Sequence, residues 1–137
     1  MLAQLPKIVG IDIEHTLDGG YDVSRRRTTG CHMISRNPEK LVEILQLPDK
    51  NGVFKCWIKD PNHQYGKSST FFPLDWTEKQ ICDALAQAVQ NIYEITIERT
   101  MFRMRGISKS GIKIEWYLNA DGIITLFYPL LESGSVL

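Results

Sequence analysis

The chain has 137 residues, enough for one domain that buries most of the surface its unfolded form exposes. Lysine plus arginine equals aspartate plus glutamate at 16 each, so the zero net charge excludes a general electrostatic pull on nucleic acid and leaves local clustering to provide one. Cys31, Cys56 and Cys82 are odd in number and far apart, which argues against a disulfide framework and suits reduced thiols in a cytosolic compartment.

In chain order, Val9, Ile11 and Ile13 form an alternation too short to separate strand from helix. The stretch from Glu14 to His32 lacks apolar periodicity and reads as a loop, carrying His15, the pair Gly19-Gly20, the run Arg25-Arg26-Arg27 and His32. Asn37-Pro38-Glu39 predicts a helix start, with asparagine as N-cap, Leu41, Val42, Ile44 and Leu45 as the apolar face, and Pro48 as the end. Asp49 to Gly52 is a turn, and Val53 to Ile58 is a strand closed by Asp60-Pro61-Asn62. A polar segment from His63 to Thr70 contains Gly66-Lys67-Ser68-Ser69. Asp75-Trp76-Thr77-Glu78 resembles a capping box and opens the clearest helix, with Ile81, Ala84, Leu85, Ala88 and Val89 at helical spacing.

From Asn91 the period becomes two. Ile92 to Ile97 and Thr100 to Ile107 read as strands, with a phase shift near Glu98 to Met101 that marks a bulge or a break. After the turn at Ser108 to Gly111, Ile112, Ile114, Trp116 and Leu118 alternate with polar residues as a strand with one buried face. Asn119 to Gly122 makes the next hairpin connection, and Ile123 to Tyr128 follows before Pro129. Helices first and an antiparallel meander last give an α+β class, N-terminal helices packed on a C-terminal antiparallel β-sheet, in one domain over residues 1–137. No apolar run approaches the roughly 20 residues that cross a bilayer. The first residues lack the pattern of a signal peptide, so export is not expected to be encoded in this stretch.

Cutting RNA without a metal needs a base for the ribose 2′-hydroxyl, an acid for the leaving 5′-oxygen, and cationic or hydrogen-bonding groups for the phosphate. Two histidines meet the first two needs, because an ordinary pKa of about 6.5 lets one be neutral and the other protonated near neutral pH. His15, His32, Lys67, Thr125 and Tyr128 form such a set, in loops and at strand ends. The arginine run is either a phosphate grip or a solvated loop. Thr125 also reads as an ordinary strand threonine. Gly66-Lys67-Ser68 lacks the first glycine and spacing of a P-loop. Cys31, His32, Cys56 and His63 do not have zinc-ligand spacing, and no metal or cofactor is expected. His63 reads as a loop residue and Trp57, Trp76 and Trp116 as core anchors.

Four segments carry a resemblance. Glu14-His15-Thr16-Leu17-Asp18-Gly19, Gly30-Cys31-His32, the block from Gly66 to Thr77, and Asp121 to Pro129 resemble, in order and at compatible spacing, the successive signatures of the bacterial EndoU nuclease domain. Four short motifs in order are far more specific than any one of them. The resemblance implies an RNA endonuclease leaving 2′,3′-cyclic phosphate ends, with the fold shared by barnase, colicin and RelE-like ribonucleases. It implies His15 and His32 as the acid/base pair, Lys67 as the phosphate-side cation, and Thr125 and a nearby tyrosine as phosphate or base contacts. Ser68 and the three arginines are expected on the substrate. Such domains are often the C-terminal toxin modules of contact-dependent growth inhibition and other polymorphic toxin systems. That implies export as part of a larger bacterial protein, delivery to a target-cell cytoplasm, a folded RNA such as tRNA as target, and a cognate immunity protein as partner of an otherwise monomeric domain.

Two departures stand out. The family usually has threonine and tyrosine two apart before the proline, whereas Thr125 and Tyr128 are three apart, so either a bulge brings Tyr128 round or Phe127 takes its place as a stacking surface. Gly30-Cys31 stands where the family commonly has two glycines, at a position that must turn tightly. The rival readings are an inactive protein- or RNA-binding module of the same fold and a metal-assisted ribonuclease. The leading one predicts a bell-shaped pH dependence near neutrality.

Overall fold

In the computed structural model, which describes residues 5–132 apart from the Arg27 side chain, the chain begins with β1 (Gly10–Ile11) and α1 (Ile13–Leu17). A small hairpin, β2 (Gly20–Asp22) and β3 (Arg27–Thr29), and two single 3-10 turns follow. Next come β4 (Leu41–Gln46), β5 (Phe54–Ile58), β6 (Lys67–Phe71), α2 (Glu78–Val89), β7 (Ile92–Ile97), β8 (Met101–Ile107), β9 (Lys113–Asn119) and β10 (Ile123–Pro129). The class is α+β, strand-rich, with the long helix in the middle of the chain rather than helices at its N-terminus.

The period-two pattern after Asn91 becomes an antiparallel meander, extended at one edge by parallel β1, in the order β1-β10-β9-β8-β7. Its inner face carries Phe102, Met104, Ile112, Ile114, Trp116, Leu118, Ile124 and Phe127, all buried. Helix α2 covers that face with Ile81, Ala84, Leu85 and Ala88, one turn apart in steps of three and four. Its start is a full capping box: Gln80 N donates to Thr77 Oγ1 at 3.2 Å and Thr77 N donates to Gln80 Oε1 at 2.8 Å. Gly106 lets the helix lie close, since a Cβ there would sit 2.1 Å from the Ala88 carbonyl.

The expected helix after Pro38 is not formed. Asn37-Pro38 does open a turn, Pro38–Lys40, but Leu41 is already extended at ψ 126 and β4 pairs antiparallel with β5. The Asn37 amide does not cap a helix. It donates to Asp18 Oδ1 at 3.0 Å and Met33 O at 3.2 Å, and so serves the end of α1 instead. An amphipathic helix at this place would have nothing to cover its apolar stripe. As a strand, β4 forms the open edge of a second sheet, β4-β5-β6, with Leu41, Val42, Ile44 and Leu45 between 41% and 57% exposed. The second half of the polar segment, from Lys67, is likewise a strand, whose inward residues Ser69 and Phe71 are buried. That sheet packs over a smaller core of Cys31, Ile34, Phe54, Cys56, Ile58 and Phe71. Trp116 is fully buried and Trp76 packs on the main core, but Trp57 is 40% exposed on the outer side of β5 and is not a core anchor.

Candidate active site

The Glu14 to His32 stretch is not a plain loop. Asp12 caps α1 by accepting from His15 N at 3.1 Å, and this short helix lies across β10. Thr16, beside His15 and fully buried, does two jobs. Its Oγ1 accepts from Phe127 N of β10 at 3.1 Å, and its carbonyl accepts from His32 N at 2.9 Å. One residue thus fixes the His15 helix, the segment that carries His32 and β10 to one another. Two glycines make the crossing possible: Gly30, at φ +64, would drive a Cβ to 2.0 Å from the His15 carbonyl and 2.7 Å from Gly19 Cα. The next residue, Cys31, is also left-handed at φ 67, where a side chain is strained, and it is buried.

His32 is 4% exposed and held in one tautomer. Its Nδ1 lies 2.5 Å from Thr70 O, which can only accept, so the ring proton sits on Nδ1 and Nε2 carries a lone pair. Ser69 Oγ, which donates to Cys31 O at 2.8 Å, stands 3.1 Å from the same Nδ1. Buried Nε2 has no hydrogen-bond partner among the described residues. Burial is the main cause that pushes the His32 pKa down to about 3; the charge of Lys67 adds to it, the Thr70 carbonyl opposes it, and His15 contributes least. The Tyr128 ring stacks on the imidazole with centroids 5.3 Å apart.

A bulge in β10 decides the question of Thr125 and Tyr128. Ile124 pairs with Leu118 and Leu126 with Tyr117, so β10 spends two residues where β9 spends one. Ile124 and Phe127 therefore point into the core, while Thr125, Leu126 and Tyr128 line the outer face. The bulge brings Tyr128 round. Phe127 is 0% exposed and packs against Phe72, so it offers no surface for a base to stack on and is withdrawn as a substrate contact.

Two concavities flank Leu126, which lines both. One, of about 370 Å³, is walled by His32, Lys67, Ser68 and Tyr128, with Lys55 and Thr70 beside them. The other, of about 550 Å³, is walled by Asp12, His15, Arg25, Tyr117 and Thr125, with Met101 at its edge. The structure thus gathers Lys67, Ser68 and Tyr128 around His32, and Arg25 and Thr125 around His15. Arg26 lies at the exposed turn of the hairpin with φ 53, and the Arg27 side chain lies outside the described residues. His63 is a clamp, stacked face to face on Tyr21 at 3.8 Å. Among the described residues no three of His, Cys, Asp and Glu converge as metal ligands, and no helix is long and apolar enough to cross a membrane.

Thr16, Ser69, Tyr117 and Leu126 belong to the site but have no signal of their own in the sequence. Thr16 and Ser69 are small hydroxyl residues inside motifs whose visible members are the histidine and the lysine, and Tyr117 and Leu126 join only through strand pairing.

The chain is similar over 124 residues, at 27% identity, to a protein of Bacillus cereus named Toxin; the match covers 85% of this chain and 22% of that protein. No solved structure matches it. Residues 11–131 match the family described as bacterial EndoU nuclease, a span from β1 past the end of β10 that takes in both histidines, and the chain belongs to that family.

Proposed function

We propose that this domain is an RNA endonuclease that cuts by transesterification, without a metal, to leave 2′,3′-cyclic phosphate and 5′-hydroxyl ends. What carries the reading is the unlike state of two histidines on either side of the Leu126 ridge: a half-buried His15, and a His32 whose proton is fixed on Nδ1. His32 Nε2 is the base, and because it is buried in the free domain the substrate reaches it only when the surrounding side chains, Tyr128 among them, give way on binding. The nitrogen takes the proton of the 2′-hydroxyl as that oxygen attacks phosphorus and the bond to the 5′-oxygen breaks. His15 is the acid that gives a proton to the departing 5′-oxygen. Lys67 and Thr125 take the charge that builds on the phosphate oxygens, and Ser68 and Tyr128 hold the nucleotide. A phosphate beside Lys67 offsets that lysine's charge, so bound substrate raises the basicity of His32 relative to the free enzyme.

The name of the Bacillus cereus relative supports a toxin. We further propose that the domain is a module of a larger exported protein, delivered to a target-cell cytoplasm, acting there on a folded RNA such as tRNA, and silenced by an immunity protein on an otherwise monomeric domain. Incubating the domain with total RNA tests the first half. Discrete fragments should appear, undiminished by a chelator, with 3′ ends that resist ligation until the cyclic phosphate is opened. Intact RNA across a range of pH and divalent ions would favour a binding module, and loss of cleavage in chelator a metal-assisted enzyme.

A further inference from the structure

Beyond the two concavities, the outer face of the large sheet continues through Tyr117 of β9 to Arg103 of β8. Arg103 is the cross-strand partner of Tyr117 and stands two residues from Met101, and both of those residues line the His15 concavity. Its setting is unlike that of its neighbour Arg105. Glu115, 3% exposed, receives Arg105 Nε at 2.8 Å on one oxygen and the Tyr117 hydroxyl at 3.4 Å on the other. Arg103 Nε is buried and makes no hydrogen bond among the described residues; the carboxylates of Glu98 and Glu115 stand off at 3.6 and 3.9 Å. Its side chain is one-third exposed. The two carboxylates hold the Nε end of Arg103 by charge, and the terminal nitrogens of its fork, hydrogen-bonded to no described residue, are the donors that a ligand would meet. Across the sheet Arg103 lies two strands from Leu126, roughly 10 Å, a distance that an arginine side chain partly closes.

Resting on the ribonuclease reading above, we infer that Arg103 is a second phosphate-binding residue. It takes the RNA phosphate adjacent to the scissile one, on the His15 side of the Leu126 ridge. Guanidinium suits this task because its forked donors meet a phosphate at two points. Arg25, on the hairpin across the same concavity, is tethered to Asp22 at 3.7 Å and lies at a far more exposed position.

A bare dinucleotide has the scissile phosphodiester and nothing else. Adding a terminal phosphate to its 5′ or its 3′ end supplies the flanking charge without a second cleavable bond. One of the two should raise kcat/KM by about tenfold. Arg103→Gln should erase that gain and leave the bare dinucleotide within about twofold of wild type, with Arg103→Lys between. No gain from either phosphate overturns the inference, as does a gain that survives in Arg103→Gln. An equal loss on all three substrates also overturns it, since an arginine needed only for the fold would act that way. Binding of a fully 2′-deoxy octanucleotide, which cannot cyclise, reads the subsite without cleavage. The slope of log K against log salt should fall by about 0.7 in Arg103→Gln, one phosphate contact on a single strand. An unchanged slope overturns the subsite. A changed slope in a protein that cuts no RNA overturns the ribonuclease reading alone.

Discussion

The two sides of the groove rest on different cores. His15 rides on α1, which β10 ties to the core under the five-stranded sheet; His32 is clasped by Ser69 and Thr70 of β6, over the smaller core of the three-stranded sheet. One side is half exposed beside a hairpin tip, and the other is closed over by Tyr128. The hydrogen bonds of the junction include Thr16 to Phe127 and His32, Thr70 Oγ1 to Pro129 O at 2.6 Å, and Phe72 N to His32 O at 3.3 Å. The contrast matches what an acid and a base require. On the proposed roles, the acid that reloads a proton from water sits open, while the base, which must be neutral when the 2′-hydroxyl arrives, is shielded.

The largest effects break this contrast directly. His15→Ala and His32→Ala should each slow cleavage by about 10²–10⁴-fold in single-turnover assays with the fold intact. The two should part on a ribonucleoside 3′-(p-nitrophenyl) phosphate, whose leaving group needs no proton. There His15→Ala should recover most of the wild-type rate and His32→Ala should not; equal rescue of both would remove the assignment of roles.

Next comes pH. His32 has a pKa of about 3 in the folded chain against about 6.5 unfolded, so the unfolded state binds the extra proton between those values. The stability that comes from keeping this ring neutral is complete above about pH 6.5 and is lost as pH falls toward 3, in total on the order of 5 kcal/mol. Urea unfolding at pH 7 and pH 4 should therefore show a larger drop in wild type than in His32→Asn, and equal drops would refute the burial effect. The same depression moves the rising limb of kcat/KM below the neutral region that two ordinary histidines suggest, because kcat/KM reports the free enzyme.

Thr16→Val keeps the shape but orphans the buried Phe127 N–H, costing about 1–3 kcal/mol. Because it loosens the junction, it should lower the cleavage rate more than an equally destabilising change at Leu85 in the main core, and equal rates would argue against that coupling. The smallest test concerns Cys31. Glycine is ordinarily worse than alanine by about 0.5–1 kcal/mol, but at φ 67 the order should invert, with Cys31→Gly more stable than Cys31→Ala in thermal melts.

How legible this was in the sequence follows the range of the forces involved. Helix α2 could be read because its cap and its apolar face are local, and β8 to β10 because one face is buried along their length. The helix expected after Pro38 is replaced by strand because the segment pairs with β5, a partner that lies beyond the next turn and that local spacing does not reveal. Tyr128 could not be placed by counting, since a single bulge reverses which side of a strand every later residue faces. The strain at Cys31 was half visible, as a side chain where the resembling domains turn with glycine. Thr16 was invisible, because its importance comes from two partners that the fold delivers.

The bare edge of β4 governs how the isolated domain behaves in a tube. Leu41 to Leu47 contains one charge, Glu43, no proline, and a free row of backbone donors and acceptors with exposed aliphatic side chains on both faces. An edge of this composition is a template for strand addition between molecules, and dynamic light scattering of the wild-type domain should show association that rises with concentration. A lysine in place of Ile44 would blunt that edge at a position remote from both histidines in the sheet order, and makes a better-behaved protein in which to study them.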